Sequence, residues 1–329
     1  MKTRDTAYTR KTITYLTAAF SLSLLVSGCG NSSKPSEAAK PSSTPTENSN
    51  TASTTANTPT PATKIKVVAA ENFLGEVAAA IGGDRVEVAS IINNPDADPH
   101  AFEPTADTSK AVNDAQFVVY VGVGYDTWMD KLLKASSSSS SKTIIEVGSE
   151  LLGKKDGDNP HVWYDPTSMP KLADALADKL AKVDPSQADA FKKRAQDYKT
   201  NLAPLSDLVQ KLKQSSPSPI AVSEPVFEYM SEALNFKAVN PKFAKAIEEE
   251  ADPGPGDIAA LQNDIKEKKI KFFVQNTQVD SPTVKNMVDL AAKNGIPIVH
   301  VTETEPQGKN YVQWMTDQLN EVKNAIGVK

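Results

Sequence analysis

Lys64-Ile65-Lys66-Val67-Val68-Ala69-Ala70 has the composition of a strand, and the residues after it decide the fold. Asn72 to Ile81 reads as a helix stopped by Gly82-Gly83, and Val86-Glu87-Val88-Ala89-Ser90-Ile91-Ile92 reads as a second strand. The alternation continues: a short helix over Thr105 to Asn113, a strand over Phe117 to Val121, a helix over Tyr125 to Lys134 and a strand over Thr143 to Val147. Strands and helices in strict succession imply a parallel sheet covered on both faces. The serine run Ser136 to Ser141 reads as a solvated loop.

A long stretch without strands follows. Lys171 to Val183 is helical, Asp184-Pro185 breaks it, and Phe191, Ala195, Tyr198, Leu202, Leu205, Leu208, Val209 and Leu212 then recur at helical spacing. Pro204 lies inside that pattern and should bend it locally. Beyond it the alternation resumes, with strands over Pro219 to Ser223, Lys271 to Asn276 and Pro297 to Val301 and a weaker one near Lys237 to Asn240. Helices are expected over Pro225 to Leu234, Asp257 to Lys268, Pro282 to Lys293 and Tyr311 to Ala325, with a turn at Asp252-Pro253-Gly254-Pro255-Gly256. The expected fold is α/β: two lobes, each a mostly parallel sheet flanked by helices, joined by one long connecting helix. Residues 64–166 form the first lobe, 167–216 the connecting helices and 217–329 the second lobe.

The first fifth of the chain is of another kind. Lys2, Arg4, Arg10 and Lys11 precede a mostly apolar run from Ile13 to Val26, the pattern of an export signal. It ends in Val26-Ser27-Gly28-Cys29, which resembles the lipobox of bacterial lipoproteins, so residues 1–28 are expected to be cleaved and Cys29 to carry lipid. The apolar run is too short and too rich in Thr and Ser to span a bilayer comfortably. Residues 29–63 are dominated by Ser, Thr, Pro, Asn and Ala, too polar to offset the entropy of ordering, and read as a flexible tether. Cleavage would leave 32 basic against 40 acidic residues, a net charge of −8. Nothing in that balance favours nucleic acid; a cationic ligand is the natural expectation.

Three histidines occur in the chain, and two of them sit in near-copies of one loop: Asp98-Pro99-His100-Ala101-Phe102-Glu103-Pro104 and Asn159-Pro160-His161-Val162-Trp163-Tyr164-Asp165-Pro166. They read as two ligands of one metal ion. In open parallel sheets, ligands collect outside the carboxyl ends of the strands. His100 follows the second strand and His161 the fourth; by the same rule Glu224 and Glu303 follow strands of the second lobe. Two imidazoles and two carboxylates suit a divalent first-row metal. His300 lies in an apolar run and reads as packing, Trp163 and Phe102 read as walls of the site, and Glu248-Glu249-Glu250 as a solvated face or a partner-docking edge.

With these residues in view, the chain resembles the zinc and manganese solute-binding lipoproteins that deliver metal to ABC importers. Both histidine loops, Ser223-Glu224-Pro225-Val226-Phe227-Glu228-Tyr229 and the Asp252-Pro253 turn look like that family's motifs in its order, over essentially all of residues 64 to 329. The resemblance implies two α/β lobes joined by a long helix, with metal between them. It carries the ligand role to His100, His161 and Glu224, the last at a position that is histidine in many zinc members and glutamate in manganese members. Where the family has aspartate after the last strand, this chain reads Val301-Thr302-Glu303-Thr304-Glu305-Pro306; Glu303 aligns best and Glu305 is the runner-up. A histidine-rich loop common in zinc members is absent.

The expected function is therefore that of a monomeric, non-enzymatic lipoprotein on the extracytoplasmic face of a bacterial membrane, binding Zn2+ or Mn2+ and passing it to the permease subunits of an ABC importer. Four protein ligands leave little room for the activated water of a catalytic zinc, and binding should weaken below about pH 6 as the histidines protonate. Two other readings are an exported zinc-dependent hydrolase, for which no His-Glu-x-x-His helix exists, and a surface adhesin using the same fold. Two carboxylates tilt the site toward Mn2+, whereas the Irving–Williams order favours zinc.

Overall fold

The computed structural model describes residues 63–95 and 99–328. The expected leader, Cys29, all of the tether but its last residue and Asp98 of the first histidine loop lie outside the described residues.

β1 (Ile65–Glu71) is buried at every position except Lys66, as a strand covered on both faces must be. It runs directly into α1 (Asn72–Gly82), which ends where Gly83 adopts a φ of 59°. A Cβ on Gly82 would lie 2.3 Å from the Val86 side chain, so the helix and the next strand can meet this closely only at glycine. β2 (Val86–Ile92) leads into the first histidine loop. α2 (Ala106–Asp114) is started by a capping box in which Thr105 and Thr108 hydrogen bond each other's backbone N–H, and this closes that loop. β3 (Phe117–Tyr120), α3 (Thr127–Ala135) and β4 (Thr143–Glu146) complete a fully parallel sheet in the order β2-β1-β3-β4.

The connector consists of α4 (Ser168–Val183), α5 (Ala188–Asn201) and α6 (Ala203–Leu212), with α4 packed along α5. α5 and α6 form the expected long helix. Its interruption at Leu202 keeps near-helical dihedrals and lies just before Pro204, whose missing N–H and ring clash account for the bend.

The second sheet is built from β5 (Ser218–Val222), α7 (Glu228–Ala233), β6 (Phe236–Ala238), α8 (Pro241–Glu248), α9 (Pro255–Lys266), β7 (Phe273–Asn276), α10 (Pro282–Lys293), β8 (Ile298–Val301) and α11 (Tyr311–Ala325). Its order, β6-β5-β7-β8, repeats that of the first sheet, again all parallel. The helix expected from Pro225 begins as a 3-10 turn before α7, and α8 has no counterpart in the sequence reading although Pro241 opens it. In both sheets strand order reverses beside the lobe's first strand, β1 against β3 and β5 against β7. Crevices of that kind, at the carboxyl ends of strands, receive ligands.

The two lobes share one apolar core. The Phe73 ring lies 4.9 Å from Trp163 and 5.8 Å from Trp314, and Tyr164 lies 5.4 Å from Phe227. Tyr164 Oη donates to the Thr302 carbonyl at 2.7 Å and Tyr311 Oη to the Trp163 carbonyl at 2.6 Å. A large apolar interface, in addition to the helical connector, opposes independent motion of the lobes.

Candidate metal centre

His161 follows β4, and its side chain is fully buried. Asn159, two residues before it, sets its chemistry. Asn159 Nδ2 donates to the Pro225 carbonyl at 2.8 Å and to Glu228 Oε2 at 2.6 Å, so Oδ1 is the oxygen that faces back. That oxygen accepts from the His161 backbone N–H at 2.9 Å and lies 2.8 Å from His161 Nδ1. Nδ1 therefore carries the proton, and Nε2 presents a lone pair. Nε2 is buried without a hydrogen-bond partner, 3.4 Å from Glu303 Oε2. A buried imidazole nitrogen left unpaired is costly unless something electron-poor meets it, and a metal ion fits that requirement.

His100 lies after β2 in a 3-10 turn, with a quarter of its side chain exposed. Its Nε2 is 3.3 Å from the same Glu303 oxygen. His100, His161 and Glu303 thus each offer a donor atom within 4.8 Å of the others. The sequence reading placed these residues in separate loops of two lobes; folding brings them together. Glu224, the fourth predicted residue, stands outside that trio but is coupled to it: Asn276 Nδ2 donates to Glu224 Oε2 and to Glu303 Oε1, both at 2.8 Å. Glu305 turns elsewhere. Its backbone is held by Asn72 and its carboxyl faces Glu76 of α1.

Glu303 is held from several sides. Tyr125 Oη donates to its Oε2 at 2.9 Å, and its backbone N–H donates to Gln278 Oε1 at 2.5 Å. Tyr125 reaches across from a loop in which Gly122, Val123 and Gly124 have φ of 74°, 56° and 86°. A β-branched residue in that region is strained, and Asp126 clasps the loop by accepting from Val121 N at 2.7 Å and Gly122 N at 2.8 Å. A Cβ on Gly122 would lie 2.2 Å from Glu146, so the clasp requires glycine there.

The electrostatics separate the acids by environment. Burial pushes Glu303 upward, but the facing His100 and His161 imidazoles, when protonated on Nε2 in the metal-free protein, prevail and hold its carboxyl well below the usual range. Glu71, at the end of β1, is fully buried with neither carboxylate oxygen hydrogen bonded. Burial and the neighbouring Asp126 raise it well above an ordinary glutamate, and burial raises Asp126 to about 7. Glu305 is raised to about 8 by burial and by Glu76.

Three expectations for single residues need correction. His300 does not pack; half of its side chain is exposed and its Nδ1 lies 2.9 Å from Glu321 Oε2. Alternation along β8 puts it on the face opposite buried Val299 and Val301. Glu248 is not a solvated charge: ending α8, it is 8% exposed and its Oε1 lies 3.8 Å from His161 Nδ1. Trp163 does wall the site, 5.2 Å from the His161 ring, whereas Phe102 packs on Trp128 at 4.8 Å. Tyr125, Asn276 and Gln278 were missed. Asn276 closes β7, so the strand-end rule that named Glu224 would have found it too.

The model of the family described as the periplasmic component A of the zinc-uptake complex matches residues 67–325. Among characterised relatives, the manganese-binding lipoprotein MntA of Halalkalibacterium halodurans is 26% identical over 251 residues, covering 74% of this chain and 80% of that protein. The manganese ABC transporter substrate-binding lipoprotein PsaA of Streptococcus pneumoniae is 24% identical over 284 residues, covering 80% and 89%. The fold is similar to that of the periplasmic zinc-binding protein TroA from Treponema pallidum, with a TM-score of 0.66 at 20% identity over 80% of this chain and 99% of that one. A manganese-bound periplasmic metal-binding protein from candidatus Liberibacter asiaticus gives 0.66 at 17% identity, covering 80% and 100%.

Proposed function

The chain belongs to the family of the periplasmic component A of the zinc-uptake complex, and from that premise we propose that it is the solute-binding lipoprotein of an ABC importer for a divalent transition metal, Zn2+ or Mn2+. The metal is cargo, taken up in the cleft between the lobes by His100 and His161 from the first and Glu303 and Glu224 from the second. The observation that carries this reading is the fully buried, unpaired Nε2 of His161, held as a lone-pair donor by Asn159 and converging with His100 and Glu303. No step of catalysis is assigned. The donors are those of a binding site, and the relatives are named for binding and transport.

The rest of the reading follows the sequence. Residues 1–28 are a cleaved leader, Cys29 carries lipid, and residues 29–63 tether a monomeric folded part to the extracytoplasmic face of the membrane, where the permease subunits receive the metal. Titration of metal-free protein with Zn2+ and Mn2+ is the test. Binding tighter than micromolar that is lost in His100→Ala and His161→Ala is expected; weaker binding, or variants that bind like the parent, would overturn it.

A further inference from the structure

Glu248 sits where its own lobe does little for a carboxylate. It is the last residue of α8, and a negative charge at the carboxyl end of a helix opposes the helix dipole. Its side chain is 8% exposed, so burial strips away much of its hydration as well. The backbone that carries it is fixed, because Phe243 and Ile247 anchor α8 in the core of the second lobe. Lys245 Nζ lies 3.1 Å from Oε2 but is itself more than half exposed. Oε1 lies 3.8 Å from Nδ1 of His161, a residue of the first lobe. Asn159 Oδ1, 2.8 Å from the same nitrogen, fixes the ring's tautomer but carries no charge. The charge beside the ring is that of Glu248.

We propose that Glu248 is a positioning residue for the metal, acting through His161: its negative charge beside Nδ1–H strengthens Nε2 as a donor and tightens the hold on a divalent cation. When Nε2 shares its lone pair with a cation, part of the positive charge passes to the ring and to Nδ1–H. A carboxylate 3.8 Å away in low-dielectric surroundings stabilises that charge, whereas the neutral ring of the metal-free protein gives it less to act on. An interaction stronger in the loaded than in the empty protein raises affinity by the difference. Lys245 offsets part of the same charge from the solvent side. The inference rests on His161 as a ligand, as proposed above, and it gives the first residue of Glu248-Glu249-Glu250 a role in the site.

The test compares Zn2+ dissociation constants, by chelator competition, for the parent, Glu248→Gln, Lys245→Met, the double variant and His161→Ala, together with thermal melts of the metal-free proteins. Glu248→Gln keeps the shape and removes the charge, so it should weaken Zn2+ binding about tenfold and leave the metal-free Tm no lower than the parent's. Lys245→Met should tighten Zn2+ binding about twofold in the parent and change nothing beside Glu248→Gln, a sign and a coupling that a merely structural role does not produce. Equal affinity in the parent and Glu248→Gln, a loss of affinity matched by a lower metal-free Tm, or a Lys245→Met variant that fails to tighten binding would overturn the proposal. Lys245 is exposed, so its variant decides the matter even where Glu248→Gln does not fold. Metal affinity unaffected by His161→Ala would instead overturn the ligand set itself.

Discussion

A single oxygen, Asn159 Oδ1, accepts from the backbone N–H of His161 and lies 2.8 Å from the same residue's Nδ1. The orientation of the imidazole, its tautomer and the aim of its Nε2 lone pair are all set by that one contact. Asn159→Ala should therefore weaken Zn2+ binding about 10-fold to 100-fold without touching any proposed ligand. Competition with a chelator measures it, and an unchanged constant would show that the ring is held by packing alone.

Metal should act as a stabiliser. Because the site does not exist in the unfolded chain, Zn2+ at about 100 times its dissociation constant should add roughly 2.7 kcal/mol, about 5–10 °C in Tm for a unit of this size. The rise should vanish with excess chelator and shrink on acidification, since an imidazole must shed its proton to coordinate. Thermal melts with and without metal at several pH values give the answer; a metal effect independent of pH would exclude histidine ligands.

The buried pair Glu71 and Asp126 makes a separate pH prediction. Both carboxyls titrate above their ordinary values in the folded protein, Asp126 near 7, so folding favours their protonated forms. The stability this contributes is complete below the ordinary carboxylate range and is lost as pH rises through about 7. Glu71→Gln, neutral at every pH and of the same shape, should flatten that loss and leave the variant more stable than the parent at pH 8, by several degrees in Tm. Parallel melting curves for the two proteins from pH 5 to 8 would contradict it.

Trp163 joins the site to the common core, 4.9 Å from Phe73 and 5.2 Å from His161, with no exposed surface. Trp163→Ala should cost about 3–5 kcal/mol by loss of buried surface and the cavity left behind. Trp163→Phe should cost less. Urea denaturation measures both, and near-parent stability of the alanine variant would mean that the lobes do not depend on this contact.

His300 serves as the control. It is exposed and tied to Glu321, away from the converging trio, so His300→Ala should leave Zn2+ affinity unchanged and move stability by no more than about 1 kcal/mol. A lost metal site would be detected by the same chelator competition.

Much of the fold was legible because its causes are local. Lys64 to Ala70, Gly82-Gly83 and the recurrence from Phe191 to Leu212 carry their period and their stop signals in neighbouring residues, and strict alternation leaves a parallel sheet as the consequence. α8 escaped because its eight residues offered little more than Pro241 to announce it. His300 was misjudged because an apolar run reads the same whichever face of an edge strand a residue takes; among the described residues β8 pairs only with β7, and pleating then puts His300 outward.

For the site, residue types and strand ends by themselves determined which residues could be ligands: two histidines in matched loops, and glutamates after strands of the second lobe. Tertiary structure alone decided how they meet. It turned Glu303 rather than Glu305 toward the imidazoles, aimed Nε2 of His161 through Asn159, and set Asn276 between Glu224 and Glu303. Those are hydrogen bonds between residues distant in sequence or directed by side-chain orientation. They exist only once two sheets with the same strand order have packed on one core, and no pattern along the chain encodes where they point.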